Sequence, residues 1–218
     1  MVDNPRKPRK PTRKPYVAYG SRREEIVVAA ATVFAEEGMV RTRMADVASR
    51  IGIDQANLRY HFPSRESLIA ELTQRVISRY VEFSVTAMEK GRRDPLSMLE
   101  RYVRSYFEWI HSAPSDFEFF MYFLYLASTS AEFTRVNEGT RTIGRERIGA
   151  LIYAAIAEEQ IPKPRTATVS ELSRMIQSTI IGQAVSFFTE GGAREAGQAK
   201  AAGRIAWAMT RAILDGGA

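Results

Sequence analysis

From Ile26 to Leu214 the apolar residues of this chain recur at intervals of three and four, the period of a helix with one buried face. No run alternates apolar and polar residues as a half-buried strand requires, and no internal repeat is present. The expected fold class is all-α. At 218 residues the chain is long enough for a sizeable core in one or two domains.

Start and stop signals divide this pattern into about nine helices. Ser21 and Glu24 have capping-box spacing ahead of Ile26, Ala30, Val33 and Phe34, and Gly38 is placed to end that helix in a left-handed turn. Met44, Val47, Ala48 and Ile51 form a second, shorter stripe closed by Gly52. Asp54 is a good N-cap for a third segment ending near His61, and Pro63-Ser64 breaks and recaps the chain before a long fourth helix with Leu68, Leu72 and Val76. Asp94-Pro95 opens a fifth helix, with Pro at the first helical position. Ser115 and Glu118 read as a further capping box opening FEFFMYFLYLA, apolar on nearly every face and expected to be buried. Ile148, Leu151, Ile152, Ala155 and Ile156 mark a seventh helix, Thr168 and Glu171 cap an eighth, and a ninth runs from about Ala193 to Leu214. The ninth is rich in small residues, Ala199, Gly203, Ala206 and Ala208 among them. These allow close helix approach either to a second copy or inside one subunit.

The net charge of +6 is unevenly distributed. Residues 1–20 hold six Lys/Arg and one acid, residues 21–68 hold seven of each, and the remainder is nearly balanced. The N-terminal stretch reads PRKPRKPTRKP, in which proline spacing excludes a helix interior and favours an extended or disordered arm. A basic arm on a neutral body points to a polyanion, with a solubilising tail as the plain alternative.

The three helices between residues 21 and 66 have lengths and a glycine turn that suit a helix-turn-helix, whose second member enters the DNA major groove. The third segment carries suitable side chains. Gln55 and Asn57 can pair with adenine and Arg59 with guanine, while Tyr60 and His61 can donate to phosphates.

An enzyme is disfavoured. The only histidines are His61 and His111, no Ser–His–Asp set, metal-ligand cluster or Gly-rich phosphate loop is evident, and neither a metal nor a cofactor is expected. There is no cysteine, no apolar run reaches the roughly 20 residues of a membrane span, and no apolar core follows the basic N-terminus as in a secretory signal. These features fit a cytoplasmic protein with no membrane partner.

The run from Arg22 to Leu68 resembles the N-terminal domain of the TetR family. The matching residues are Ile26, Ala30, Phe34 and Gly38, then Thr42, Asp46-Val47-Ala48, Gly52-Ile53, Leu58, Tyr60-His61-Phe62 and Ser64-Arg65-Glu66-Ser67-Leu68. The resemblance implies an arm over 1–20, a DNA-binding domain over 21–66 and a helical effector-binding and dimerisation domain over 67–218. It places Gln55, Ala56 and Asn57 toward base edges, Tyr60 and His61 on phosphates, and Arg65 near the DNA backbone. Ile53, Leu58 and Phe62 are given packing roles.

Two departures stand out. Arg59 replaces a frequent tyrosine and adds a charge. Arg43 replaces the usual Thr or Ser cap of the second helix, so either Thr42 caps instead or the cap is weaker by about 1 kcal/mol, leaving Arg43 for a phosphate. With the resemblance in place, Arg6, Lys7, Arg9, Lys10, Arg13 and Lys14 of the arm are expected in an adjacent minor groove. The implied partners are a pseudo-palindromic double-stranded operator, a second copy bound through the last two long helices, and a small-molecule effector. The aromatic-rich stretch Tyr102, Tyr106, Trp109, Phe120, Met121, Phe123 and Tyr125 is the expected effector lining, with Arg104 and Glu108 nearby and a largely apolar ligand. The reading is a ligand-released repressor; the alternative is a DNA-binding or DNA-coating protein without an effector.

Overall fold

The computed structural model describes residues 19–216. The expectations for the arm concern positions outside that range. Nine α-helices occur among the described residues: α1 (Tyr19–Glu37), α2 (Met44–Arg50), α3 (Gln55–His61), α4 (Arg65–Glu89), α5 (Pro95–Ser112), α6 (Pro114–Thr129), α7 (Ala131–Ala157), α8 (Val169–Thr189) and α9 (Ala196–Gly216). A single 3-10 turn, Gly192–Arg194, joins the last two. No helix among them is long and apolar enough to cross a membrane.

Most of the start and stop signals act as the sequence implies. Asp54 accepts a hydrogen bond from the Asn57 N–H at 2.7 Å. Asp94 accepts from Ser97 N–H, with Pro95 at the first helical position. Thr168 and Glu171 form their reciprocal box. Gly38 and Gly52 take φ of +84° and +66°, which a side chain would disfavour.

Two helix starts differ from the expectation. α1 begins at Tyr19, so Ser21 already lies within the helix, and Glu24 pairs with Arg75 of α4. α6 begins at Pro114 with Ala113 as an N-cap that makes no side-chain bond, and Asp116 binds Arg79 of α4 instead. Proline at the first position sets the start that the Ser115–Glu118 spacing suggested two residues later.

α1, α2 and α3 close over a small core of Ile26, Ala30, Phe34, Val47, Leu58 and Phe62, completed by Leu68 and Leu72 at the start of α4. α5 is the axis of the rest. It packs on α4, α6, α7, α8 and α9 and buries Tyr102, Val103, Tyr106, Phe107, Trp109 and Ile110. The small residues of α9 divide by face. Ala199, Gly203, Ala206 and Thr210 are buried, and a Cβ on Gly203 would come within 3.3 Å of the Arg104 side chain on α5. That stripe therefore serves packing inside the subunit.

α7 is far longer than its apolar signal. Its front half, AEFTRVNEGTRTIGRER, is polar and lacks a continuous stripe, so only the part from Ile148 onward is marked in the sequence.

Candidate nucleic-acid interface and ligand cavity

The exposed face of α3 carries Gln55, Ala56, Asn57, Arg59 and Tyr60, while Leu58 and Phe62 are fully buried. The helix is held from behind by Arg23 of α1. Its guanidinium donates to the His61 carbonyl at 2.7 Å, pairs with Glu71 at 2.8 Å and lies 4.2 Å from the centre of the Phe62 ring. The turn before α3 is closed by Ile53 N–H to the Ala48 carbonyl, across Gly52.

Arg43 is the N-cap of α2, with extended backbone and no capping bond from its own side chain. Thr42 does not replace it, because its hydroxyl donates to the Gly38 carbonyl and the residue is buried. The Asp46 carboxylate accepts from the Arg43 N–H at 2.6 Å, which supplies the reverse half of a box. The Arg43 side chain is exposed. Arg41, which no sequence motif marks, is exposed on the same loop. No ion pair to Arg41, Arg43 or Arg59 occurs among the described residues, whereas Arg22, Arg23 and Arg50 are paired to Glu25, Glu71 and Glu36.

Two residues differ from the sequence expectation. His61 is 6% exposed, and its pKa is lowered by burial and then by Arg22 and Arg23, so the ring is turned into the protein rather than offered to a phosphate. Arg65 points inward as well. It donates to the Thr42 carbonyl at 3.3 Å, to the Met39 carbonyl, and to the Tyr122 hydroxyl of α6 at 3.3 Å. It ties the α1–α2 loop to the body of the molecule.

A cavity of about 360 Å³ lies among α4, α5, α6, α7 and α8. Tyr102, Tyr106, Trp109 and Phe120 line it. Met121, Phe123 and Tyr125 do not, because successive positions of α6 point elsewhere. Phe123 is fully buried against Phe120 and Phe133, Tyr125 is 61% exposed beside Tyr122, and Met121 is partly buried. Arg104 and Glu108 face a different groove, where Arg104 pairs with Glu100 at 2.5 Å.

Tyr80 of α4, Gln177 of α8 and Arg135, Arg141 and Arg147 of α7 also stand in the cavity wall, and sequence reasoning missed all five. Tyr80, Tyr106 and Trp109 form a contiguous aromatic cluster, with ring centres 4.8 to 5.9 Å apart. Burial raises the pKa of the Tyr80, Tyr102 and Tyr106 phenols, so they stay protonated. A Cβ on Gly144 would lie 2.5 Å from the Gln177 amide nitrogen; the absence of a side chain there lets Gln177 reach the Arg141 carbonyl at 3.0 Å.

A short glycine turn between two small helices, the second with a polar outer face, set on a larger helical body with an internal cavity, defines the class of helix-turn-helix proteins with a helical second domain. Residues 26–72 match the family profile of bacterial regulatory proteins, tetR family. The HTH-type transcriptional repressor KstR2 of Rhodococcus jostii (strain RHA1) is 28% identical over 137 residues, covering 56% of this chain and 65% of that protein. A TetR transcription regulator from Haloarcula marismortui ATCC 43049 superposes with a TM-score of 0.76 at 16% identity, over 90% of this chain and 98% of that one. A protein from Saccharomonospora viridis, described as a transcriptional regulator in complex with choline, gives 0.73 at 17% identity, over 88% and 96%. At such identities the likeness speaks for the fold. The chain spans between 25% and 65% of the length of these first curated relatives. Its residues 26–72 are thus similar to the tetR-type domain, and the whole chain shares the fold of these regulators.

Proposed function

We propose that this protein is a sequence-specific DNA-binding transcriptional regulator, a repressor released from a pseudo-palindromic operator when a small molecule fills the cavity. The observation that carries the reading is the outward face of α3, where Gln55, Ala56, Asn57 and Arg59 are exposed together; Arg41 and Arg43, on the loop before α2, are exposed as well, and neither has an ion pair among the described residues. Gln, Asn and Arg are the side chains that pair bidentately with base edges. Arg41, Arg43 and Tyr60 are assigned to phosphates, and His61 and Arg65 are withdrawn from the DNA face. The arm residues Arg6, Lys7, Arg9, Lys10, Arg13 and Lys14 supply sequence-independent attraction, since residues 21–68 carry no net charge.

A homodimer through α8 and α9 is part of the reading. Met175, Ile205 and Met209 are 50%, 56% and 40% exposed on those helices, on the side of α9 away from α5. A twofold pair of reading heads requires half-sites about one helical turn apart, or a multiple of it. The choline of the Saccharomonospora protein lends support to a ligand role for the cavity, although the arginines in the wall here oppose a cation.

Selection of bound fragments from genomic DNA with the full chain tests the proposal. One recurrent pseudo-palindrome with a single footprint is expected, and uniform protection along the duplex would defeat it. Removing residues 1–19 should flatten the dependence of affinity on salt by about 0.9 in the log–log slope for each phosphate no longer neutralised.

A further inference from the structure

We infer that the cavity takes an amphipathic organic anion, with a carboxylate head held by Arg141 and Arg147 and one apolar body laid against Tyr106, Trp109 and Phe120. This rests on the proposed function for the cavity's role and specifies what occupies it.

The first observation is the sign of the wall. Three arginines of α7 contribute to it, and no aspartate or glutamate does. The acids nearest them on the same helix, Glu138 and Glu146, lie outside the wall. None of the three arginines has an ion pair among the described residues, and Arg141 and Arg147 are themselves half-buried. Taking a guanidinium out of water without a counter-charge is costly, and a bound anion removes that cost.

The second observation is an excess of hydrogen-bond donors. Arg141 Nε and Trp109 Nε1 are both buried without an acceptor. The Tyr80 hydroxyl lies near that of Tyr102 but makes no well-formed bond. Arg147 sits over the Tyr102 ring at 5.9 Å and reaches the Ser84 hydroxyl only at a long 3.4 Å. Arg141 acts on the Tyr106 phenol and Arg147 on those of Tyr80 and Tyr102, which puts both charges at the aromatic wall. Phenols that stay protonated cannot supply the missing anion. A carboxylate offers only acceptors and suits a planar fork of N–H donors.

The third observation is size. About 360 Å³ is at the small end for ligand pockets, and much of the lining is aliphatic or aromatic: Val76, Ile77, Phe120, Ile148 and Ile180 surround the polar groups. That suits a single chain or ring system rather than a multiply charged ligand.

The test is calorimetric titration of the full chain with matched probes: decanoate against decanamide, naphthylacetate against naphthylacetamide, and decyltrimethylammonium as the cation. Each carboxylate is expected to bind at least roughly tenfold tighter than its amide, the ratio of one charge-assisted hydrogen bond, with the ammonium weaker again. Arg141→Gln should bring the carboxylate to the level of the amide and leave the amide's own affinity within about threefold, as expected when only the charge-assisted bond is removed. Arg141→Lys should restore part of the preference. Equal binding of amide and carboxylate, preference for the ammonium, binding by none of the probes, or unchanged carboxylate affinity in both Arg141→Gln and Arg147→Gln would overturn the inference. Operator affinity is read separately. Carboxylate binding with the stated preference but no effect on DNA upholds the cavity chemistry and defeats the release mechanism.

Discussion

Of the seven arginines between residues 22 and 65, four are bonded to other groups of the protein and three, Arg41, Arg43 and Arg59, face outward without an ion pair among the described residues. Charge that residue counting makes neutral is therefore locally positive where DNA would lie. Arg59→Ala should weaken operator binding by about 1–3 kcal/mol while changing non-specific binding less. An equal loss on both, in titrations at fixed salt, would assign Arg59 to a phosphate. His61 makes a different prediction. Its folded pKa lies below the ordinary value because burial, then Arg22 and Arg23, disfavour the imidazolium. The stability tied to its neutral form is complete above the unfolded pKa of about 6.5. It is lost as pH falls, because the unfolded chain takes the proton first. Urea midpoints measured between about pH 8 and pH 5 should decline, and His61→Leu should make that decline shallower. Tyr60 and His61 are adjacent in sequence and opposite in fate, since a step of about 100° around α3 separates an exposed phenol from a buried ring. Side-chain type alone did not distinguish them.

At the scale of elements, Arg65 is the tie between the reading helices and the body. It starts α4, yet it binds carbonyls of the α1–α2 loop and the hydroxyl of Tyr122 on α6. Arg65→Met should cost about 2 kcal/mol by urea unfolding, because charged hydrogen bonds to carbonyls are removed. Tyr122→Phe should cost less, and the double variant less than the sum. The helices of the DNA-reading part were legible because each is bounded by local chemistry: Asp54 as a cap, Gly38 and Gly52 at positive φ, Pro63 as a break. The front of α7 was not, because a polar helix is stabilised by neighbours that the sequence does not display. The same segment contributes the cavity arginines, so the unmarked helix and the unmarked charge of the cavity wall have one cause. The aromatic lining was half legible: Tyr102, Tyr106 and Trp109 belong to the amphipathic α5, whereas α6 is apolar all round and gives no sign of which residues face the cavity.

At the scale of the whole molecule, the outward side of α9 and its neighbour α8 form the face through which the dimer is proposed. Met175, Ile205 and Met209 are exposed there, and Met175, Met209, Ala212 and Ile213 line one crevice between the two helices. Sedimentation should give a dimer for the full chain. Ile205→Glu with Met209→Glu should give a helical monomer that binds the operator far more weakly, since two half-sites would no longer be joined. The glycines of α7 carry one more consequence. At Gly139, an exposed position of the cavity lining, a Cβ would meet nothing within 4 Å, so a small replacement displaces no neighbour. At Gly144 any replacement must first displace Gln177. The lining therefore accepts substitution at the first position more readily than at the second, and a ligand of the proposed kind would be refitted through Gly139 rather than Gly144.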